Sequence, residues 1–190
     1  MVGDAYPTRE TVEAANQTEQ RDGVAIDRLS GAVANGPFTL EVVTQGQFQA
    51  TLSLENFELW QLGLVTIALR DLGSSLCPIG YGKSRGLGRM AVTLSRLEVG
   101  YPGRFSVQEG KRNYANNIYG VSAFDVPDNY GFEPEDSLVL NKPGKLIENG
   151  DFGRIAVAFA SDGEVIAVLK NSVPFWKAYV ERHCKEIGHD

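Results

Sequence analysis

The sequence predicts a mixed α+β fold, and two kinds of periodicity are the main observations behind this prediction. Apolar and polar residues alternate over residues 48–54, as they do in a half-buried strand. Apolar residues then recur three and four positions apart over residues 55–71, which is typical of a helix that packs through one face. The order strand, strand, helix, glycine-rich loop, strand over residues 23–99 therefore predicts a helix packed on a sheet.

The amino-terminal segment predicts an exposed arm followed by paired strands. Residues 1–22 are polar and are interpreted as an arm. A first strand should follow this arm directly, and residues 38–44 form a second β-rich run. Gln45 and Gly46 are typical of a hairpin turn, so this second run is expected to pair with residues 48–54.

The helix predicted at residues 55–71 has one apolar stripe, which should pack on the sheet. The stripe consists of Phe57, Trp60, Leu64, Ile67 and Ala68. Because Trp60 shares this stripe, it is predicted to be a core residue rather than a platform for a nucleic-acid base.

The carboxyl-terminal part, residues 100–190, predicts an irregular insert and then a regular closing unit. Residues 100–150 are rich in Pro, Gly, Asn and Asp and should contain little helix. Two β-like runs, at 154–160 and 164–170, are separated by a Ser-Asp-Gly turn signal and predict a β-hairpin. Residues 174–185 predict a terminal helix with proline near its first turn.

Length and composition favour one soluble domain with appendages. The chain has 190 residues, of which 43% are hydrophobic, enough to bury one core. No apolar run approaches the roughly 20 residues that a membrane span needs, and the first residues lack a signal-peptide pattern. Cys77 and Cys184 lie far apart without zinc-ligand spacing, so a reduced, cytoplasmic protein is expected.

The most informative segment is a glycine-rich basic loop at residues 80–89, called the glycine loop below. It contains Gly80, Tyr81, Gly82, Lys83, Ser84, Arg85, Gly86, Gly88 and Arg89. Glycine allows positive φ and exposes N–H groups to an anion, while Lys and Arg neutralise phosphates. Residues 72–97 hold four basic residues and no acidic one, in a chain of net charge -6. The segment therefore predicts phosphate binding, although a purely structural loop packed over the sheet would also be glycine-rich.

Known nucleotide-binding motifs do not fit the glycine loop. A triphosphate-binding P-loop would need glycine where Cys77 stands, and a dinucleotide fingerprint would need glycine where Arg85 stands. An RNA backbone remains the favoured source of phosphate, and Tyr81 is the residue best placed in the sequence to stack on a base.

Other polar residues give no catalytic or metal-binding pattern. His183 and His189 lie at the carboxyl end, where a solvated tail is expected rather than a catalytic base. Asp125, Asp128 and Asp136 lack ligand spacing and are predicted to be turn residues rather than metal ligands. No catalytic residue and no metal ligand is therefore assigned.

Two motifs together resemble the carboxyl-terminal portion of the RAMP superfamily. The first is Ile26-Asp27-Arg28 with a small-residue turn after it, and the second is the G-x-G-x-S-R-G-x-G pattern of the glycine loop about fifty residues later. More narrowly, residues 4–99 resemble the backbone RNA-binding subunit of type III CRISPR effector complexes.

The resemblance implies a fold and a set of partners. It implies a partial ferredoxin-like, RRM-like palm at residues 23–99 whose glycine loop lies against guide RNA. It also implies a thumb that interrupts pairing of the guide with target RNA, placed by similarity at residues 4–20. The expected partners are guide RNA, target RNA and other CRISPR effector subunits, including neighbouring copies or paralogues, and no membrane.

The resemblance leaves enzymatic activity open. Related backbone subunits cut target RNA with a carboxylate and a divalent metal, but by this resemblance the segment that bears their catalytic aspartate is expected to lie before residue 4. No cofactor is expected unless the complete complex cleaves RNA with a divalent metal. Two alternatives are a metal-dependent endoribonuclease that processes precursor RNA, and a protein-interaction domain that binds no RNA.

Overall fold

The structure, a computed structural model, confirms the mixed α+β class. It describes residues 1–101, 112–124, 136–149 and 154–187. The chain divides into two compact units, Met1–Leu54 and Glu55–Asp190. In the described ranges the first unit contains one short α-helix and the second contains two long ones, and both units contain antiparallel strand pairs.

The first unit is built around one long β-hairpin. Its elements are β1 (Tyr6–Pro7), α1 (Val12–Ala15), β2 (Thr18–Ile26), β3 (Val33–Val43) and β4 (Phe48–Gln49). Strands β2 and β3 pair antiparallel from Thr18 opposite Val43 to Ile26 opposite Val33. The short strands β1 and β4 form a second antiparallel pair.

The hairpin predicted at Gln45 and Gly46 is wrong. Strand β3 pairs with β2, so the turn of its hairpin lies at residues 27–32 instead. The sequence of β2, TEQRDGVAI, is exposed along most of its length and begins without apolar alternation. A strand whose two faces are both solvated has no hydrophobic period to reveal it.

The second unit packs two helices against a three-stranded sheet. Its elements are α2 (Leu59–Gly73), β5 (Leu97–Tyr101), β6 (Asn117–Tyr119), β7 (Ser137–Val139), β8 (Lys145–Asn149), β9 (Arg154–Phe159) and α3 (Asp162–Ile187). The sheet has the order β5-β9-β8 and is antiparallel, while β6 pairs with β7. The central strand β9 contributes Val157, which is fully buried.

The carboxyl-terminal β-hairpin is a wrong prediction. Only its first strand exists, as β9, and residues 164–170 belong to the continuous helix α3. The buried positions Val165, Val168, Leu169 and Ser172 recur at helical spacing and form one face of α3. The composition of the short run EVIAVLK fits a strand as well as a helix. Its helical conformation becomes evident only from the packing of α3 against α2.

The apolar stripe predicted for α2 is also wrong. The helix buries Leu59, Leu62 and Gly63, whereas Leu64 is 40% exposed. Gly63 sets this choice, because a Cβ there would lie 2.5 Å from the carbonyl oxygen of Ser172 in α3. Apolar residues surround α2 on most sides, so the close approach that glycine permits decides which face is buried.

Candidate nucleic-acid interface

The glycine loop is a closed turn in the stretch between α2 and β5. The N–H of Ile79 donates to the carbonyl oxygen of Gly88 at 2.9 Å and closes its neck. Gly88 has φ +82°, and a Cβ at this position would overlap the backbone of Ile79. Glycine is therefore required at Gly88 for both conformation and space.

A 3₁₀ turn at Lys83–Arg85 forms the outer part of the glycine loop. Gly82 and Gly86 flank this turn, and both have left-handed backbone conformations. The N–H groups of Arg85 and Leu87 donate to the carbonyl oxygen of Gly82 at 2.8 and 3.3 Å. The loop thus holds its shape through its own backbone.

Three successive N–H groups of the glycine loop are available to a ligand. Within the described ranges, no protein acceptor is found for the N–H of Gly82, Lys83 or Ser84. A left-handed residue followed by a right-handed one turns successive N–H groups toward one side, which is the geometry of an anion-binding nest. Gly82 followed by Lys83 has this geometry.

The basic side chains of the glycine loop are exposed, as are its potential donors Tyr81 and Ser84. Lys83, Ser84, Arg85 and Arg89 are all exposed, and the ring of Tyr81 is 75% exposed. Among the residues that the structure describes, Lys83 and Arg89 form no ion pair. The structure therefore brings together the residues that the sequence proposed for phosphate binding.

Arg96 does not contribute to this group as a free cation. It donates to Glu98 at 2.6 Å, and Glu98 also accepts a hydrogen bond from Arg154. The strand that the sequence predicts after the glycine loop begins only at Leu97. The local positive charge is consequently concentrated in the glycine loop itself.

Two exposed apolar residues beside the glycine loop were not singled out from the sequence. Leu76 is 74% exposed and Ile79 is 47% exposed. Together with Tyr81 they make the surface next to the cations apolar. Such a mixed surface suits a ligand with both phosphates and bases better than a free inorganic anion. The signal in the sequence was the run Leu76-Cys77-Pro78-Ile79, which lacks charge.

Asp136 is neither an exposed turn residue nor part of a metal site in the described ranges. Its Oδ1 accepts the N–H of Leu59 at 2.7 Å, and its Oδ2 accepts the N–H of Ser122 at 3.1 Å. Burial raises the pKa of Asp136 above its usual range. The carboxylate thus holds the first turn of α2, whose other end precedes the glycine loop. Within those ranges no cluster of metal-binding side chains occurs.

The remaining polar candidates are placed as follows. His183 stacks on Tyr179 with ring centroids 4.2 Å apart, and its Nδ1 lies 3.0 Å from the Tyr179 carbonyl oxygen. Trp60 also stacks on Tyr179, at 4.0 Å, so it packs on α3. Asp125, Asp128 and His189 lie outside the described residues.

The Ile26-Asp27-Arg28 motif lies at the tip of the β2–β3 hairpin. Asp27 accepts hydrogen bonds from the N–H of Ser30 at 2.8 Å and from its hydroxyl at 2.5 Å. These hydrogen bonds lower the pKa of Asp27. Leu29 is 98% exposed, and the cross-strand neighbours Ile26 and Val33 are 66% and 61% exposed. The tip therefore presents apolar side chains next to the exposed Arg28, on a turn fixed by Asp27.

Comparison with known families covers both of these regions. The model of the RAMP superfamily matches residues 2–91, a segment that contains both the hairpin and the glycine loop. This superfamily is generally associated with RNA-binding subunits of CRISPR systems. Searches of curated proteins and of solved structures give no significant match. No described helix combines the length and apolar character needed to cross a bilayer.

Proposed function

We propose that the chain is a guide-RNA-binding structural subunit of a type III CRISPR interference complex. The observation that carries this proposal is the N–H nest at residues 82–84, in a loop that also carries the exposed cations Lys83 and Arg89. The match to the RAMP superfamily over residues 2–91 supports it, because that match contains the whole glycine loop.

The glycine loop would recognise the RNA backbone rather than its sequence. The three N–H groups would donate to phosphate oxygens, and Lys83 and Arg89 would neutralise the phosphate charge. Tyr81 would stack on an unpaired base, which adds affinity with little sequence preference. This division of labour suits a guide-dependent complex, in which base pairing supplies specificity and the protein holds the backbone.

The β2–β3 hairpin would contact the paired guide and target. Its apolar tip, with Leu29 almost fully exposed, fits the thumb that the family resemblance implies. The resemblance placed this thumb at residues 4–20, and we extend the proposal to the whole hairpin because β2 begins at Thr18. Apolar side chains such as that of Leu29 can enter between base steps.

The proposed partners follow from this role. They are guide RNA, target RNA and further effector subunits, including neighbouring copies or paralogues, in the cytoplasm. No catalytic residue is proposed, and a divalent metal enters only if the assembled complex cleaves target RNA. Cleavage of precursor RNA by the purified chain with magnesium or manganese would favour the endoribonuclease alternative instead.

The first experiment removes the two cations of the glycine loop. We expect the double variant Lys83→Ala, Arg89→Ala to bind single-stranded RNA more weakly than the unmodified chain. The slope of log affinity against log salt should become shallower by about 0.7 for each phosphate that the protein no longer neutralises. Fluorescence anisotropy across a salt series measures both quantities.

The matched control for this experiment is Arg96→Ala. Arg96 is an exposed arginine in the same basic segment, but its guanidinium is already paired with Glu98. It should change the affinity and the salt slope much less than the double variant. Circular dichroism checks that all variants are folded. If the double variant and Arg96→Ala had equal effects on RNA affinity, or if neither had an effect, the glycine loop would not bind RNA. That result would favour the alternative of a protein-interaction domain.

A further inference from the structure

Leu87 is the only aliphatic residue of the glycine loop, and it is half-buried, whereas the cations of the loop are exposed. A Cβ placed on Gly82 would lie 2.7 Å from the Cδ1 of Leu87 and 3.4 Å from its Cγ. The side chain of Leu87 therefore packs on the Cα of Gly82. The N–H of Leu87 also donates to the carbonyl oxygen of Gly82 at 3.3 Å. Leu87 thus contacts Gly82 through both its side chain and its backbone.

Glycine permits the left-handed conformation of Gly82 but does not enforce it, because glycine adopts positive and negative φ about equally. The φ of +74° at Gly82, followed by the right-handed Lys83, turns the N–H groups of residues 82–84 toward one side. A reversal of this φ would separate the three N–H groups. The three heavy atoms nearest to a Cβ on Gly82 all belong to Leu87. Leu87 is therefore the side chain that can select the conformation of Gly82.

We propose that Leu87 is a positioning residue for phosphate binding, because its packing on Gly82 holds the N–H groups of residues 82–84 in their convergent arrangement. The inference rests on the proposed role of the glycine loop in binding RNA. Leu87 carries no charge and acts on affinity through the backbone geometry of Gly82. Lys83 and Arg89 act separately from it, since their charges attract phosphates whatever the direction of the N–H groups.

The variant Leu87→Ala removes the packing on Gly82 and keeps every charge and every backbone N–H group. The affinity for single-stranded polyuridine RNA should fall about tenfold for each charge-assisted hydrogen bond that is lost. The slope of log affinity against log salt should keep its wild-type value, because the same number of phosphates is neutralised. In contrast, the double variant Lys83→Ala, Arg89→Ala makes this slope shallower. Anisotropy titrations at several salt concentrations measure the affinity and the slope.

Two further variants separate positioning from a general loss of stability. Leu87→Met keeps a long apolar side chain against Gly82 and should restore the wild-type affinity. Leu69→Ala removes a half-buried leucine of α2, outside the glycine loop, and is the matched control that should leave RNA affinity unchanged. Wild-type affinity in Leu87→Ala would overturn the proposal. Failure of Leu87→Met to restore the affinity, or an equal loss of affinity in Leu69→Ala, would also overturn it.

Amide NMR spectra of the chain without RNA test the effect of Leu87 on the backbone directly. Leu87→Ala should shift the amide signals of residues 82–84, and Leu87→Met should leave them close to their wild-type positions. Unchanged signals in Leu87→Ala would overturn the positioning role, even if the wild-type chain binds RNA. A wild-type chain that binds no RNA would instead overturn the proposed function, so the two failures are distinguishable.

Discussion

The glycine loop and the tip of the β2–β3 hairpin are both closed turns, but they are held by different groups. Backbone bonds close the glycine loop, from Ile79 to Gly88 and within residues 82–87. In the hairpin tip, the side chain of Asp27 accepts hydrogen bonds from Ser30 and takes part in the turn itself. One turn uses glycine to shape itself, and the other uses a carboxylate.

This difference determines which side chains remain for a ligand. In the glycine loop the backbone provides the shape, so the cations Lys83 and Arg89 stay exposed, and the N–H groups of residues 82–84 have no acceptor in the described ranges. In the hairpin tip the acidic side chain of Asp27 is engaged, and the exposed side chains are Arg28, Ser30 and, above all, the apolar Leu29. A basic surface with N–H donors suits phosphates, while an apolar tip suits bases or another protein surface.

The largest effect is expected from Gly88→Ala in the neck of the glycine loop. The new methyl group would overlap the backbone of Ile79, and the left-handed conformation alone costs about 1–2 kcal/mol. The loss of unfolding free energy should exceed this strain, and RNA affinity should fall with it. Urea denaturation followed by tryptophan fluorescence reports on this unit, which contains Trp60 and Trp176.

Two glycines with open surroundings provide the comparison for Gly88→Ala. Gly86 in the glycine loop and Gly31 in the hairpin tip both have positive φ. A Cβ at either position would have no other atom within 4 Å. Gly86→Ala and Gly31→Ala should cost only the conformational strain, roughly 1–2 kcal/mol. If Gly88→Ala lowered the unfolding free energy no more than Gly86→Ala and Gly31→Ala do, the close contact at the neck would not determine the shape of the loop.

The next largest effect concerns Asp136, which anchors the beginning of α2. Asp136→Ala leaves the N–H of Leu59 without an acceptor at a fully buried residue, and an unsatisfied buried donor costs about 1–3 kcal/mol. The unit with the glycine loop should lose this stability, and the separate hairpin unit should not. Hydrogen exchange resolved by segment distinguishes the two units.

The pH dependence of stability gives a second test of the role of Asp136 at the beginning of α2. Burial raises its pKa in the folded chain above the reference value of 3.8. The stabilising contribution of protonation is therefore complete below pH 3.8 and is lost as pH rises through the folded pKa. The stability of the wild type relative to Asp136→Asn should fall over that range. Urea midpoints at a series of pH values measure it, and a difference that rises with pH would contradict the assignment.

The glycine loop could be located from the sequence because its signal is local. Glycines, cations and the absence of acids occur within one short segment, and no distant residue is needed to recognise them. The nest itself could not be predicted, since it depends on the backbone conformations of Gly82 and Lys83. The pairing of Arg96 with Glu98 was accessible in principle, because residues two apart in a strand share a face.

Features that depend on distant partners could not be predicted. Asp136 accepts a hydrogen bond from the N–H of Leu59, which lies 77 positions earlier in the sequence. Only the folded structure shows that it caps α2. A first strand was expected after residue 22, but β2 already begins at Thr18, because the polar residues on both faces of its first half leave no hydrophobic period. The face of α2 was misassigned because the approach of Gly63 to Ser172 outweighed the apolar stripe.

The smallest effect is expected from the exposed carboxylate of Asp27, whose pKa shift is opposite in sign to that of Asp136. Hydrogen bonds from Ser30 lower its folded pKa below 3.8. Its contribution to the hairpin turn is therefore present above pH 3.8 and is lost as pH falls through the folded pKa. Carboxyl chemical shifts from an NMR titration should show the depressed pKa, and Ser30→Ala should return it toward 3.8. A pKa that Ser30→Ala leaves unchanged would contradict the role of the Ser30 hydroxyl in holding this carboxylate.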